Sequence, residues 1–156
     1  MIDIIYVQYN TTHENNFVYY EDDQTRDWWL LLMTHTPAFF IIEDKKYIMP
    51  PKSAILYPPY VPLHYGGHES YFKNDWIRFY TDEKFICDGK VPTCIPFEIK
   101  EFSFIHHLFK QLASENFYYN KYKNKTILTL FELMFSKLEE SLSFRSENTQ
   151  IKNLLS

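Results

Sequence analysis

Apolar positions change their period near residue 100. Before that point, short β-prone runs are punctuated by Pro, Asp and Asn; after it, apolar residues recur at three- and four-residue steps. The first part predicts strands over residues 4–9, 17–20, 28–34, 38–42, 47–49, 54–57 and 76–80. The 28–34 run is almost wholly apolar, as a strand covered on both faces must be. The 76–80 run alternates, with Trp76, Arg78 and Tyr80 on one side and Ile77 and Phe79 on the other. Glu43-Asp44-Lys45-Lys46 reads as a hairpin loop of the longer kind. Many short, closely spaced strands predict a barrel or jelly roll and not a parallel sheet.

The second part predicts two helices. Phe102, Ile105, Leu108, Phe109 and Leu112 form one apolar stripe. In the second helix, over 126–143, Ile127, Leu130, Phe131, Met134 and Leu138 form a stripe that Leu128, Phe135 and Leu142 widen. So wide a stripe has two explanations. Either one flank covers the barrel while Leu128, Phe135 and Leu142 meet a second subunit, or the helix is wedged deep in its own core. The residues from 143 to 150 are polar and lack a period, which reads as a linker, and 151–156 resume an apolar pattern as the start of a further domain. The expected division is a β-barrel over 1–100, a helical dimerisation segment over 101–143, and a linker with the beginning of an absent domain over 144–156.

Charge and composition remove several function classes. With 16 basic and 20 acidic residues the net charge is −4, and no basic face of the kind that holds DNA stands out. Lys121, Lys123 and Lys125 alternate with Tyr122 and Asn124 and read as a solvated loop between helices. Aromatics make up 19% of the chain, which fits a ring-lined cavity and equally an AT-rich coding bias. Cys87 and Cys94 have neither redox nor zinc-knuckle spacing and are expected as free thiols. The N-terminus lacks the pattern of a signal peptide, and no stretch approaches the ~20 apolar residues of a membrane span. A cytoplasmic protein with no membrane contact is the expectation.

The segment 47–80 carries the most information. It holds Tyr47-Ile48-Met49-Pro50-Pro51-Lys52, then Ala54-Ile55-Leu56-Tyr57-Pro58-Pro59, then His64-Tyr65-Gly66, then Trp76-Ile77-Arg78-Phe79. In order and spacing this resembles the sensor domain of AraC-type transcription regulators. That family has a Pro-Gly turn, a short apolar strand, Pro-Pro, His-Tyr and a strand opening Trp-x-x-Phe. Asp27-Trp28-Trp29-Leu30-Leu31 is similar to the family's early Asp-Tyr-Leu-Leu strand, and Leu108-Phe109 and Leu130-Phe131 with Leu138-Glu139-Glu140 are similar to its helical pair. Two positions depart from the pattern: Lys52 replaces the turn glycine, and Pro37 stands where a hairpin glycine is common. Either the backbone there avoids positive φ or it is strained.

The resemblance implies a cupin-like jelly-roll barrel followed by two dimerisation helices. It implies a small effector inside the barrel, such as a sugar or related metabolite, and an N-terminal arm (residues 1–10) able to fold over it. Carried over by position, Tyr65 and Trp76 line the pocket, His64 adjoins it, and Arg26 supplies a hydrogen-bonding fork. The alternatives are a core role for Tyr65 and Trp76 and a surface role for Arg26. The partners implied are the effector and a second copy of the chain, with DNA reached only through a C-terminal helix-turn-helix domain outside this chain. No catalytic residue, metal or cofactor is implied.

A competing reading starts from His64, His68 and Glu69, because barrels of this shape include metal-dependent cupin enzymes. In an extended strand, positions 64 and 68 lie ~13 Å apart, too far for one ion. Only a tight turn at Gly66-Gly67 would bring them together. His106 and His107, adjacent on a helix, point in different directions and are expected to face solvent. A third reading is a barrel closed by its own side chains and used only for dimerisation. No Ser-His-Asp set, phosphate loop or nucleophile elbow is present.

Overall fold

The run Trp29-Leu30-Leu31-Leu32-Met33-Thr34 is buried along its whole length, so layers must lie on both sides of it. A computed structural model, which describes the backbone of residues 1–155 and the side chains of residues 1–143, shows those layers. The segment 144–156, read above as a linker with the beginning of an absent domain, lies outside the residues whose side chains are described.

The order of elements is β1 (Ile2–His13), β2 (Val18–Glu21), β3 (Trp29–Thr34), β4 (Ala38–Ile42), β5 (Lys45–Met49), β6 (Ser53–Tyr57), β7 (Leu63–Gly67), β8 (Phe72–Thr81), α1 (Lys84–Cys87), β9 (Phe97–Glu98), α2 (Phe102–Phe117) and α3 (Lys123–Leu155). They build a five-stranded sheet ordered β1-β8-β3-β6-β9 and a four-stranded sheet ordered β2-β7-β4-β5. Every strand pair is antiparallel. The chain is thus mainly β, with two antiparallel sheets and C-terminal helices.

Alternation along β3 divides the core in two. Leu30 and Leu32 face the four-stranded sheet and pack with Ile55, Tyr57, Ala38, Phe40, Leu63, Tyr65 and Phe72. Trp29, Leu31 and Met33 face the helices and pack with Ile77, Phe79, Ile105, Phe109, Phe131 and Met134. Burying one such side chain fully contributes ~1.5–3 kcal/mol, so β3 alone is a large part of the driving force. The apolar stripe of α2 buries Ile105, Leu108, Phe109 and Leu112 as its period requires. Among the described residues, no helix is long and apolar enough to cross a membrane.

Several details differ from the sequence expectation. The β4–β5 connection has two residues, Glu43 and Asp44, both at positive φ, where a longer loop was expected. Ile42 pairs with Lys45, and two consecutive positive-φ residues match the twist of the hairpin. β1 extends to His13 and is an edge strand paired with β8, so the N-terminal residues are docked in the sheet and not free as an arm. Phe135, expected at a dimer interface, is 1% exposed. Its ring stacks over Phe131 and meets the edge of Phe85, so it belongs to the chain's own core. Leu142 packs half-buried on that core, and Leu128 lines a surface cavity of about 540 Å³ with Met1, Asp3 and Lys125. The widened stripe on α3 is largely consumed within the monomer.

Lys52 answers the question raised by the missing turn glycine: it adopts φ 67°, and its N–H donates to the Thr34 carbonyl at 2.9 Å. The left-handed conformation costs a side-chain-bearing residue ~1–2 kcal/mol, against ~0.5–1 kcal/mol of extra chain entropy lost by glycine. Lys52→Gly is therefore expected to raise unfolding free energy by roughly 0.5 kcal/mol in urea denaturation. A loss of stability would show that the Lys52 side chain, 5.7 Å above the Phe102 ring, matters more than the backbone.

Candidate functional site

β8 brings the most chemistry to one place. Its register sets Trp76 opposite Leu32 and Arg78 opposite Leu30, so both side chains face the space between the sheets. On the other flank, Gln8 and Tyr6 of β1 pair with the same two residues, and the Tyr6 ring stacks on Trp76 at 5.5 Å. The Arg78 guanidinium lies 4.6 Å from the Trp28 ring and 4.9 Å from the Trp76 ring. Its Nη2 is 3.4 Å from the Tyr19 hydroxyl, which donates to Glu21 Oε2 at 2.8 Å. Tyr19 in turn stacks on Tyr65 at 5.2 Å. A cation between indole faces with a phenol at its edge is a cation–π arrangement that holds the charge in a weakly hydrated place.

This group is half-buried at Tyr19, Trp28, Trp76 and Arg78 and becomes solid further in, where Tyr57, Phe40 and Phe72 are fully buried. Among the described residues, two polar atoms in it have no protein partner: Arg78 Nε and the Tyr57 hydroxyl are buried without a hydrogen bond. Buried donors of this kind are costly, and a ligand oxygen or an ordered water relieves them. Burial pushes the Tyr57 and Tyr65 phenols up from their ordinary value. Burial also raises Tyr19, reinforced by its hydrogen bond to Glu21.

The residues singled out from sequence fare differently. Tyr65 is buried in the inter-sheet core and Trp76 packs against the same cluster. Arg26 is not on the surface, and its Nε is buried without a partner among the described residues. It is 4% exposed, and its Nη atoms donate to the carbonyls of Trp28, Pro58 and Val61. It fastens the approach to β3 onto the β6–β7 connection and carries the Trp28 indole, 4.7 Å away. Burial lowers its affinity for the proton. His64 points to the opposite side of β7 from Tyr65, where its ring meets Phe39 and Tyr20, so it is not brought to the group. The runner-up set fails on backbone geometry: Gly66 and Gly67 are the last residues of β7 and form no tight turn. A side chain at Gly66 would collide with the Phe17 carbonyl, 1.9 Å from the Cβ position, so glycine there serves close strand approach. Among the described residues, His64, His68 and Glu69 do not form a three-ligand group, although His68 lies 3.9 Å from Glu69.

Sequence reasoning missed Arg78. The signal was present, since the alternation already set Arg78 beside Trp76 on the inward side, where an arginine requires partners. It also missed the environment of His106, which lies against Asp75 and not in solvent. Cys87 and Cys94 are free thiols, and burial raises the Cys94 thiol. No family model matches the chain, and no curated protein matches it.

An unfolded chain releases phenolic protons near pH ~10, while folded Tyr57 and Tyr65 retain theirs to higher pH. Unfolding above that pH releases protons, so this contribution is complete below pH ~10 and is lost as pH rises above it. Denaturation midpoints measured from pH 8 to 11 should therefore fall above pH ~10, more steeply than in the Tyr57→Phe/Tyr65→Phe double variant. Parallel curves would remove the buried phenols from the site.

Proposed function

We propose that this chain is the effector-sensing and dimerisation half of an AraC-type transcription regulator, not an enzyme. In this reading the two sheets are the walls of a cupin-like jelly roll, and a small oxygen-bearing effector such as a sugar binds at its mouth. The supporting observation is the Arg78 guanidinium between Trp28 and Trp76, with its buried Nε lacking an acceptor. The guanidinium supplies the donor fork for the effector's oxygens, and the indoles of Trp28 and Trp76 that hold it supply an apolar rim for the effector's carbon skeleton. The filled interior beyond Tyr65 confines the effector to this mouth.

The regulator acts by differential affinity: the effector favours one arrangement of β1, β8 and the helices over another. β1 is the natural reporter, because Tyr6 lies against Trp76. A DNA-binding domain outside this chain would receive that preference, and the chain itself would pair with a second copy through the α3 flank that carries Leu142. The second reading, a closed dimerisation module, is favoured by the solid packing around Phe40, Tyr57 and Phe72.

Thermal-shift screening with sugars and small carboxylates separates the two. A ligand present at 100 times its Kd raises stability by ~2.7 kcal/mol. Arg78→Lys and Trp76→Leu should each weaken such a hit at least about tenfold, the worth of a charged hydrogen bond or a stacked face. A hit unchanged in both variants would move the site elsewhere, and no hit would favour the closed module. In light scattering, Leu142→Glu should lower the dimer fraction with the fold intact. Phe135→Ala should instead cost ~3–5 kcal/mol of stability, as a cavity in the monomer core does.

A further inference from the structure

On the opposite face of β8 from Trp76, three side chains from separate parts of the chain converge. Asp75 lies in β8, His35 follows β3, and His106 is in α2. Their ligand atoms all lie within 4.8 Å of one another. His35 Nε2 is 2.8 Å from Asp75 Oδ1, and His106 Nδ1 hydrogen-bonds Asp75 Oδ2. The two imidazole rings are perpendicular, with centroids 4.9 Å apart. Asp75 is wholly buried, while His35 and His106 retain 11% and 17% of their exposure, so the group is reachable from one side.

The surroundings are built to hold this carboxylate. β1 carries an irregularity between Gln8 and Thr11, and within it Asn10 adopts φ 56°. Its backbone N–H donates to Asp75 Oδ1 at 2.8 Å instead of to the strand ladder. Bulges and left-handed residues of this kind gather at functional sites. The Phe102 ring stacks parallel to His106 at 6.1 Å and meets His35 edge-on at 4.8 Å, which fixes both imidazoles. The backbone N–H of His35 donates to the Lys73 carbonyl at 2.8 Å, which fixes the position of its Cα.

We propose that His35, Asp75 and His106 form a binding site for one divalent transition-metal ion. Two imidazole nitrogens and one carboxylate are a donor set suited to Zn(II), Fe(II), Co(II) or Ni(II), with the remaining positions left to water. Charge balance favours it. Among the described residues, the ion pairs at Asp75 are those with these two histidines, and metal-binding imidazoles are neutral. A buried carboxylate without a counter-charge is expensive, and a dication at this point supplies one. On entry, each neutral imidazole offers its Asp75-facing nitrogen to the ion as a lone-pair donor. Its single proton is then carried on the far ring nitrogen, Nδ1 of His35 and Nε2 of His106, so the proton changes nitrogen through solvent and none is released overall. The bound ion would clamp α2 and the turn after β3 onto β8, one residue from Trp76. This inference stands independently of the effector site between the sheets.

Co(II) titration of the chelator-stripped chain provides the test. One Co(II) per chain with visible ligand-field bands, displaced by Zn(II), is the expected result. His35→Gln and His106→Gln should each weaken binding at least about tenfold, since removing even an outer partner of a metal ligand costs that much. Circular dichroism reports whether the variants fold. In the wild-type chain, Zn(II) should shift the ring-nitrogen resonances of His35 and His106 and leave those of His64 and His68 in place. Absent ligand-field bands, binding unchanged in the variants, or shifts confined to His64 and His68 would each overturn the proposal, and the triad would then be a hydrogen-bonded clasp.

Discussion

The structure depends on one strand being covered twice. β3 is central in the five-stranded sheet, between β8 and β6, and it buries alternate side chains in two different cores. Without the four-stranded sheet, Leu30 and Leu32 would face water; without the helices, Leu31 and Met33 would. Neither layer is optional, because a few exposed leucines cost as much as a small domain's entire net stability. The helices are therefore part of the β-domain's core as well as an addition to its end.

The same constraint passes to β8, the neighbour of β3, and gives it two chemistries. Its inward positions hold Trp76 and Arg78 between the sheets, and its outward positions hold Asp75, Ile77 and Phe79 beneath the helices. Consecutive residues thus belong to the two proposed sites. A shift of β8 sufficient to reorient Trp76 necessarily moves Asp75, because the ladder to β3 fixes their register. That shared strand is the physical route by which binding between the sheets would be felt at α2, provided each ligand distinguishes two positions of β8.

Local periodicity made the scaffold legible. The solid run of β3, the stripe of α2 and the alternation of β8 follow from burial on two faces, one stripe and two opposed faces. Each needed only neighbouring residues to be read. The β4–β5 turn did not read correctly, since Glu43 and Asp44 adopt positive φ without the usual Asn-Gly signal. Arg26 and His106 failed for another reason. What decides their roles are the carbonyls of Pro58 and Val61 and the carboxylate of Asp75, more than thirty residues away in each case. A buried arginine whose Nη atoms are held by backbone oxygens looks the same in sequence as a surface arginine. The candidate site was half legible: Tyr65 and Trp76 could be chosen by position, whereas the meeting of Trp28, Tyr19 and Arg78 depends on how β2 and β8 lie across the sandwich.

Backbone hydrogen exchange at β3 addresses the doubly covered wall most directly. If both layers protect it, the amides of residues 30–33 exchange only through global unfolding, with the free energy given by denaturant titration. Exchange there as fast as in the edge strands β2 or β5 would mean that one layer lifts independently, and the two-sided role of β8 would go with it.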